Sequence, residues 1–230
     1  MNRPDRMYRY VIRFTKVGYI RYTSHLDMLR LFKRAFKRAG IALSFSQGFN
    51  PHPKMGFAQP LSLGYTSRCE LLEFETVREE DPAAVKDAVA AMMPEGIEIL
   101  DCQPLTADVK SLAAEVCEAT YRVIFPAAGD PADWRKTAAA YLAQPEILAE
   151  KRQKKTKKMV TVDIRPKIRD ISVLDGERLT LELRLDSGSA SNLSPEQVIA
   201  TFTAFAGLDA PRYDVEVERI AIKFDKNLKF

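Results

Sequence analysis

Cysteine and histidine, from which most metal and redox sites are built, are scarce here: three of the first and two of the second in 230 residues. Cys69, Cys102 and Cys117 lie far apart, so they offer neither a disulfide framework nor the close C-x-x-C spacing of a zinc or iron–sulfur site. They read as small buried hydrophobes or reduced thiols of a cytoplasmic protein. Two histidines without a carboxylate partner set make a poor metal site, and no metal is expected. Long apolar runs are missing as well. No stretch approaches the roughly 18–20 residues needed to cross a bilayer, and the amino-terminal MNRPDRMYRY has no apolar segment that would serve as a signal peptide. Hydrophobic residues are nonetheless 46% of the chain and charged ones 29%, which excludes a disordered polymer. The length suits two compact units or one large one.

Acidic residues are almost absent from one region and concentrated in another. Residues 1–54 hold twelve Lys or Arg against Asp5 and Asp27, whereas residues 70–118 hold thirteen acids against three bases. The overall net charge of +4 conceals this segregation. A second basic block follows at 151–158 (KRQKKTKK), with six positive charges in eight positions. Such an arrangement suits a polyanionic partner on the basic face, or mutual neutralisation of the two halves.

Along the chain, residues 7–14 alternate with Tyr8, Tyr10, Ile12 and Phe14 on one face, the period of a half-buried strand. Residues 19–22 extend it beyond a turn or bulge at Lys16–Val17–Gly18. Ser24 and Asp27 form a capping box that starts a helix running to about Ala39 and stopping at Gly40. Leu29, Phe32 and Phe36 make its apolar stripe, while Arg30, Lys33, Arg34, Lys37 and Arg38 cover the other side. A short strand is predicted at 41–45, a Pro-rich loop at 47–54, and extended segments at 55–63 and 69–77. Asp81–Pro82 opens a helix over 83–93, which ends at Pro94–Glu95–Gly96 before a strand at 97–100. The order is β-α-β-β-α-β, the ferredoxin-like arrangement.

The second half repeats it. A strand at 119–125 precedes a helix from Asp130–Pro131 to Leu142. Strands at 159–173 and 178–186 flank an Asp175–Gly176 turn, a capping box at Ser194 opens a helix to about Phe205, and the last strand is 215–224. The fold class expected is α+β: two ferredoxin-like units in tandem, 1–105 and 119–230, with antiparallel sheets and helices on one face, joined by a linker at 106–118. Phe202, Phe205, Trp134, Met92 and Met93 are expected in the core.

The side chains able to bind or react cluster between Tyr19 and Lys54. His25 follows the Ser24 cap, where free backbone N–H groups favour an anion. His52 sits between two prolines, close in sequence to Asn50 and Lys54. A pair of histidines with a lysine suits metal-free RNA cleavage, so His25, His52 and Lys54 are candidate catalytic residues. The same groups suit simple phosphate binding with Phe49 stacking on a base, and binding is the favoured reading. The candidate phosphate ligands are Arg21, Arg30, Lys33, Arg34, Lys37, Arg38, Phe49, Asn50, His52 and Lys54, extended by Lys154, Lys155, Lys157 and Lys158 on a basic hairpin or loop. Asp163 and Arg165 read as an in-strand surface pair.

Residues 21–27 (RYTSHLD), 34–40 (RAFKRAG) and 46–54 (SQGFNPHPK), continuing through 60–64 (PLSLG) to Glu70, resemble the bacterial radical-SAM-linked proteins. That family has no established function; its members accompany, or are fused to, a radical-SAM enzyme. The likeness covers the first third of the chain and reappears at 162–166 (VDIRP). It implies a radical-SAM enzyme as partner. The chain itself lacks that enzyme's three-cysteine motif, so S-adenosylmethionine and an iron–sulfur cluster would belong to the partner, with no cofactor here. The tandem architecture also resembles the RNA-processing endoribonucleases of CRISPR systems. Together these imply a cytoplasmic, non-catalytic adaptor that presents tRNA or rRNA to the enzyme. The alternatives are a metal-independent ribonuclease using His25 and His52, and a protein partner without RNA contact.

Overall fold

The computed structural model describes residues 8–106, 109, 111–153, 157–225, 228 and 230. The chain is an α+β protein in two compact units, one running to Val116 and including the residues from Phe224 onward, the other Cys117–Lys223. The boundary falls between Val116 and Cys117. The carboxy-terminal residues belong to the first unit, where the Asp225 N–H donates to the Glu115 carbonyl at 2.7 Å and the Phe224 and Phe230 rings meet edge-on. Among the described residues no helix is long and apolar enough to cross a membrane.

In the first unit β1 (Tyr8–Lys16), α1 (His25–Arg38), β2 (Met55–Phe57), β3 (Thr66–Thr76), α2 (Pro82–Ala90) and β4 (Ile99–Pro104) follow in order, with a short α3 (Leu112–Glu115) after them. The strands lie β4-β1-β3-β2, antiparallel throughout. Tyr10, Ile12 and Phe14 of β1 meet Met28, Phe32 and Phe36 of α1 and Val85 and Val89 of α2, so both helices cover one face. The opposite face is covered too. Arg9 pairs with Glu73 and donates to the Val109 carbonyl, while the Leu112 N–H donates to Glu73 at 2.8 Å. The alternation therefore marked the helix-facing side of β1 but not a solvent-facing one.

Several expectations are corrected. Residues 19–22 are not strand but a 3-10 turn, Gly18–Tyr22, closed by the Thr23 N–H on the Ile20 carbonyl. Residues 41–45 make only two isolated bridges, Leu43 to Thr76 and Phe45 to Pro53, because Pro53 and the following loop prevent a continuous ladder. The buried stripe of α1 is Met28, Phe32, Ala35 and Phe36, with Leu29 at its margin.

The second unit contains β5 (Val116–Ala128), α4 (Pro131–Leu142), β6 (Leu148–Arg152), β7 (Met159–Asp163), β8 (Ile168–Leu174), β9 (Arg178–Asp186), α5 (Pro195–Ala206) and β10 (Glu216–Phe224). Its main strands lie β10-β5-β9-β8, the same fourth-first-third-second order as in the first unit. Between α4 and β8 the chain inserts a separate two-stranded ribbon, β6 with β7, so of the hairpin or loop expected near 151–158 the flanking residues take the hairpin form. The single strand predicted over 159–173 is split by a 3-10 turn, Arg165–Lys167, around Pro166. Phe202 is fully buried and meets Tyr141 and Phe125, but Phe205 is 42% exposed and Trp134, Met92 and Met93 are half-buried.

Candidate functional site

Helix α1 begins where the capping box requires. The Ser24 Oγ accepts the Asp27 N–H at 3.2 Å and its hydroxyl donates to Asp27 Oδ2 at 2.7 Å. That hydroxyl, and then Arg30 at 2.7 Å, hold the Asp27 carboxyl below its ordinary range. Replacing Ser24 with alanine is expected to cost about 1 kcal/mol, the usual loss for a cap, read by urea denaturation at neutral pH. Because the folded pKa of Asp27 is depressed, its contribution is present above the unfolded value and lost as pH falls through the folded one. The gap between wild type and variant should therefore narrow below the carboxylate range.

Beyond Asp27 the exposed side of the helix is cationic. Arg30 pairs with Asp27, but Lys33, Arg34, Lys37 and Arg38 are exposed and have no ion pair among the described residues. Like charges three and four positions apart repel. Beside this ridge runs a groove of about 410 Å³ lined by Lys33, Lys37, Gly40, Ile41, Ala42, Leu43 and Phe45. Its floor is apolar, since Ile41 and Leu43 are buried, and Phe45 is 46% exposed at its wall. Phe45 was not among the predicted site residues. Its aromatic character and neighbouring serines were the only signal, and they read equally well as strand.

The Pro-rich loop that follows is closed at its neck. The Ser46 N–H donates to the His52 carbonyl at 2.8 Å and the His52 N–H to Ser46 Oγ at 3.0 Å. Phe49, Asn50 and His52 are exposed, Phe49 completely. Lys54 does not behave as a free phosphate ligand: its Nζ lies 2.7 Å from Glu75 Oε2 and pins the loop's base to β3. Arg21 is also engaged, its guanidinium 3.0 Å from the Tyr22 hydroxyl and 5.0 Å from that ring's centroid.

His25 faces elsewhere. Its ring packs edge-on against Phe57 at 5.3 Å and lines a cavity of about 20 Å³ with Lys16, Met28 and Glu70. Lys16 and Glu70 are each only 3% exposed, and the Lys16 Nζ donates to the Thr23 carbonyl at 2.9 Å. A space of that size admits about one water. Among the described residues no hydrogen bond or ring contact joins His25 to His52. The two imidazoles required by a cleavage mechanism have separate surroundings.

The second basic block opens on the ribbon in the other unit. Lys151 and Arg152 end β6, opposite Val160 and Met159. The turn is closed by the Gln153 N–H on the Lys158 carbonyl at 2.9 Å and the Lys157 N–H on the Gln153 carbonyl at 3.0 Å, with Lys157 in the left-handed region. Lys154 and Lys155 lie outside the described residues. Asp163 is exposed at the end of β7 and Arg165 is half-buried, and both are tied to backbone groups. Asp163 Oδ1 accepts the N–H groups of Ile147 and Arg165, and the Arg165 Nε donates to the Leu142 carbonyl at 2.6 Å, fastening the ribbon's base.

No disulfide joins Cys69, Cys102 and Cys117, and burial, with a smaller contribution from Asp101, pushes the Cys102 thiol up to about 12. Among the described residues no group of three His, Cys, Asp or Glu is placed to hold a metal ion.

Comparison with known proteins adds one finding. The model of a family described as uncharacterized protein conserved in bacteria (DUF2344) matches residues 9–195. No curated protein matches the chain.

Proposed function

The chain belongs to that uncharacterized bacterial family (DUF2344), and from the surface of its first unit we propose that it binds RNA without cleaving it. The observation that carries this reading is the row Lys33, Arg34, Lys37 and Arg38: exposed, without an ion pair among the described residues, and beside a groove walled by a half-exposed aromatic ring. Four neighbouring cations without an ion pair on two turns repel one another in the free helix. A phosphate chain relieves that repulsion and releases its own counterions on binding. Phe49 and Asn50, held out on the closed loop, are positioned for local contacts. The ribbon carrying Lys151, Arg152, Lys157 and Lys158 offers further charge in the second unit.

The resemblance of residues 21–70 to radical-SAM-linked proteins supports the finer reading, an adaptor that presents tRNA or rRNA to such an enzyme. The enzyme would supply S-adenosylmethionine and its cluster; the residues here would hold the RNA. The test is binding of tRNA and rRNA fragments to the whole chain across a salt series. With three to four phosphate contacts on α1, the log–log slope should be about −2 to −3 for unpaired RNA. Absence of binding at low salt, or a slope near zero, overturns the reading. Co-purification with a radical-SAM enzyme that survives nuclease treatment, with no RNA bound, would assign the basic face to a protein partner instead.

A further inference from the structure

We propose that the groove beside the carboxy-terminal half of α1 takes an unpaired base, so that the ligand is single-stranded RNA or an unpaired loop and not a duplex. This rests on the RNA-binding reading and narrows it to a substrate class. The groove's volume of about 410 Å³ lies within the range of about 300–1,000 Å³ typical of clefts that enclose small organic groups. Its chemistry is divided as a nucleotide is divided. Ile41 and Leu43 give an apolar floor, Phe45 gives an exposed aromatic wall, and Lys33 and Lys37 stand at the rim.

Lys33 and Lys37 are four residues apart on the helix, about 6 Å along its axis, so they meet successive points of a backbone running along α1. A base turned inward from that backbone reaches the Phe45 ring, and stacking on an aromatic face accepts any base. A duplex cannot use the groove. Its bases are stacked and paired, and A-form RNA presents only its backbone and a shallow minor groove to a protein surface. The ridge alone would favour the duplex, whose phosphates are denser; only the groove gives the single strand an advantage.

The experiment compares, by fluorescence anisotropy at one low salt concentration, a short unstructured RNA and a duplex of the same sequence. Wild type, Phe45→Ala, Phe45→Leu and Phe45→Tyr chains are used, each first checked for native circular dichroism. Phe45 is half-exposed, and its bridge to Pro53 is made by backbone, so the fold should tolerate all three changes. The single strand should bind at least about ten-fold more tightly than the duplex. Phe45→Ala and Phe45→Leu should each weaken single-strand binding about ten-fold and leave duplex binding unchanged. Phe45→Tyr, which keeps the ring, should bind as wild type does. Equal affinity for the two RNAs, or no effect of Phe45→Leu, overturns the groove proposal while leaving RNA binding standing. Failure of both RNAs to bind overturns the binding reading and this inference with it.

Discussion

Changing Lys33, Arg34, Lys37 and Arg38 together to glutamate is expected to lower the affinity for single-stranded RNA at least a hundred-fold at about 50 mM salt. Each cation that neutralises a phosphate contributes about −0.7 to the log–log salt slope on single strands. Removing four should therefore flatten the slope by up to about 3, and reversing them adds direct repulsion. The fold should survive, because the side of α1 that packs is Met28, Phe32, Ala35 and Phe36, and none of the four cations has an ion pair among the described residues. One cost is foreseeable. Lys37 and Arg38 lie in the last turn, where positive charge favours the helix dipole by about 0.3–1 kcal/mol each. A parallel set with glutamine in all four positions keeps helix propensity without adding negative charge there, and should lose less affinity than the glutamate set. Equal affinity of wild type and the glutamine chain would remove the ridge from the binding surface. Loss of a protein partner with RNA affinity intact would move it to a protein interface.

What was legible in the sequence is what local chemistry dictates. Ser24, Asp81, Asp130 and Ser194 accept the first N–H groups of their helices, and Pro82, Pro131 and Pro195 follow the last three, so helix starts could be read from four-residue patterns. The basic side of α1 was readable for the same reason, since helical spacing alone separates it from Phe32 and Phe36. What was hidden depends on residues distant in sequence. Lys54 reads as a loop cation until Glu75, 21 positions later, is placed beside it. Arg9 reads as the exposed partner in an alternating strand, although Glu73 and the Val109 carbonyl bury it. Likewise the backbone bonds of Asp163 and Arg165 are not legible in the sequence, because the groups they satisfy, at Ile147 and Leu142, lie 16 and 23 positions away. At 151–158 the sequence leaves a hairpin and a loop both open, for a run of lysines has no strand periodicity to choose between them even where its first residues pair. Phe45 was missed because an aromatic in an apolar run is usually core, and only its exposure beside Lys33 and Lys37 sets it apart.

Gly96→Ala should be among the most destabilising single changes in the first unit, costing about 3 kcal/mol or more. The sequence shows only a glycine ending a helix, a position that asparagine also fills. The structure gives it a second constraint. Its φ is +91°, and a Cβ there would collide with the Val17 carbonyl oxygen and lie 2.9 Å from the Ile20 Cγ2. Left-handed backbone in a non-glycine residue costs about 1–3 kcal/mol, and the collision adds to it. Val17 cannot simply withdraw, because its N–H donates to the Gly96 carbonyl at 2.9 Å, and next to it the Thr15 N–H donates to Glu98 at 2.9 Å. Retreat would break bonds worth about 1 kcal/mol each and displace the Gly18–Tyr22 turn that leads into the Ser24 cap. Gly40→Ala supplies the control. Gly40 has a φ of +74° but nothing within 4 Å of the added carbon, so it incurs the backbone cost without the collision. Urea denaturation of both variants separates the two contributions: Gly96→Ala should be the less stable by about 1–2 kcal/mol, the cost of lost hydrogen bonds and displaced packing. Equal stability would mean that the helix-ending turn does not press on the end of β1. The path from that turn through Ile20 to the start of the basic helix would then have to be redrawn.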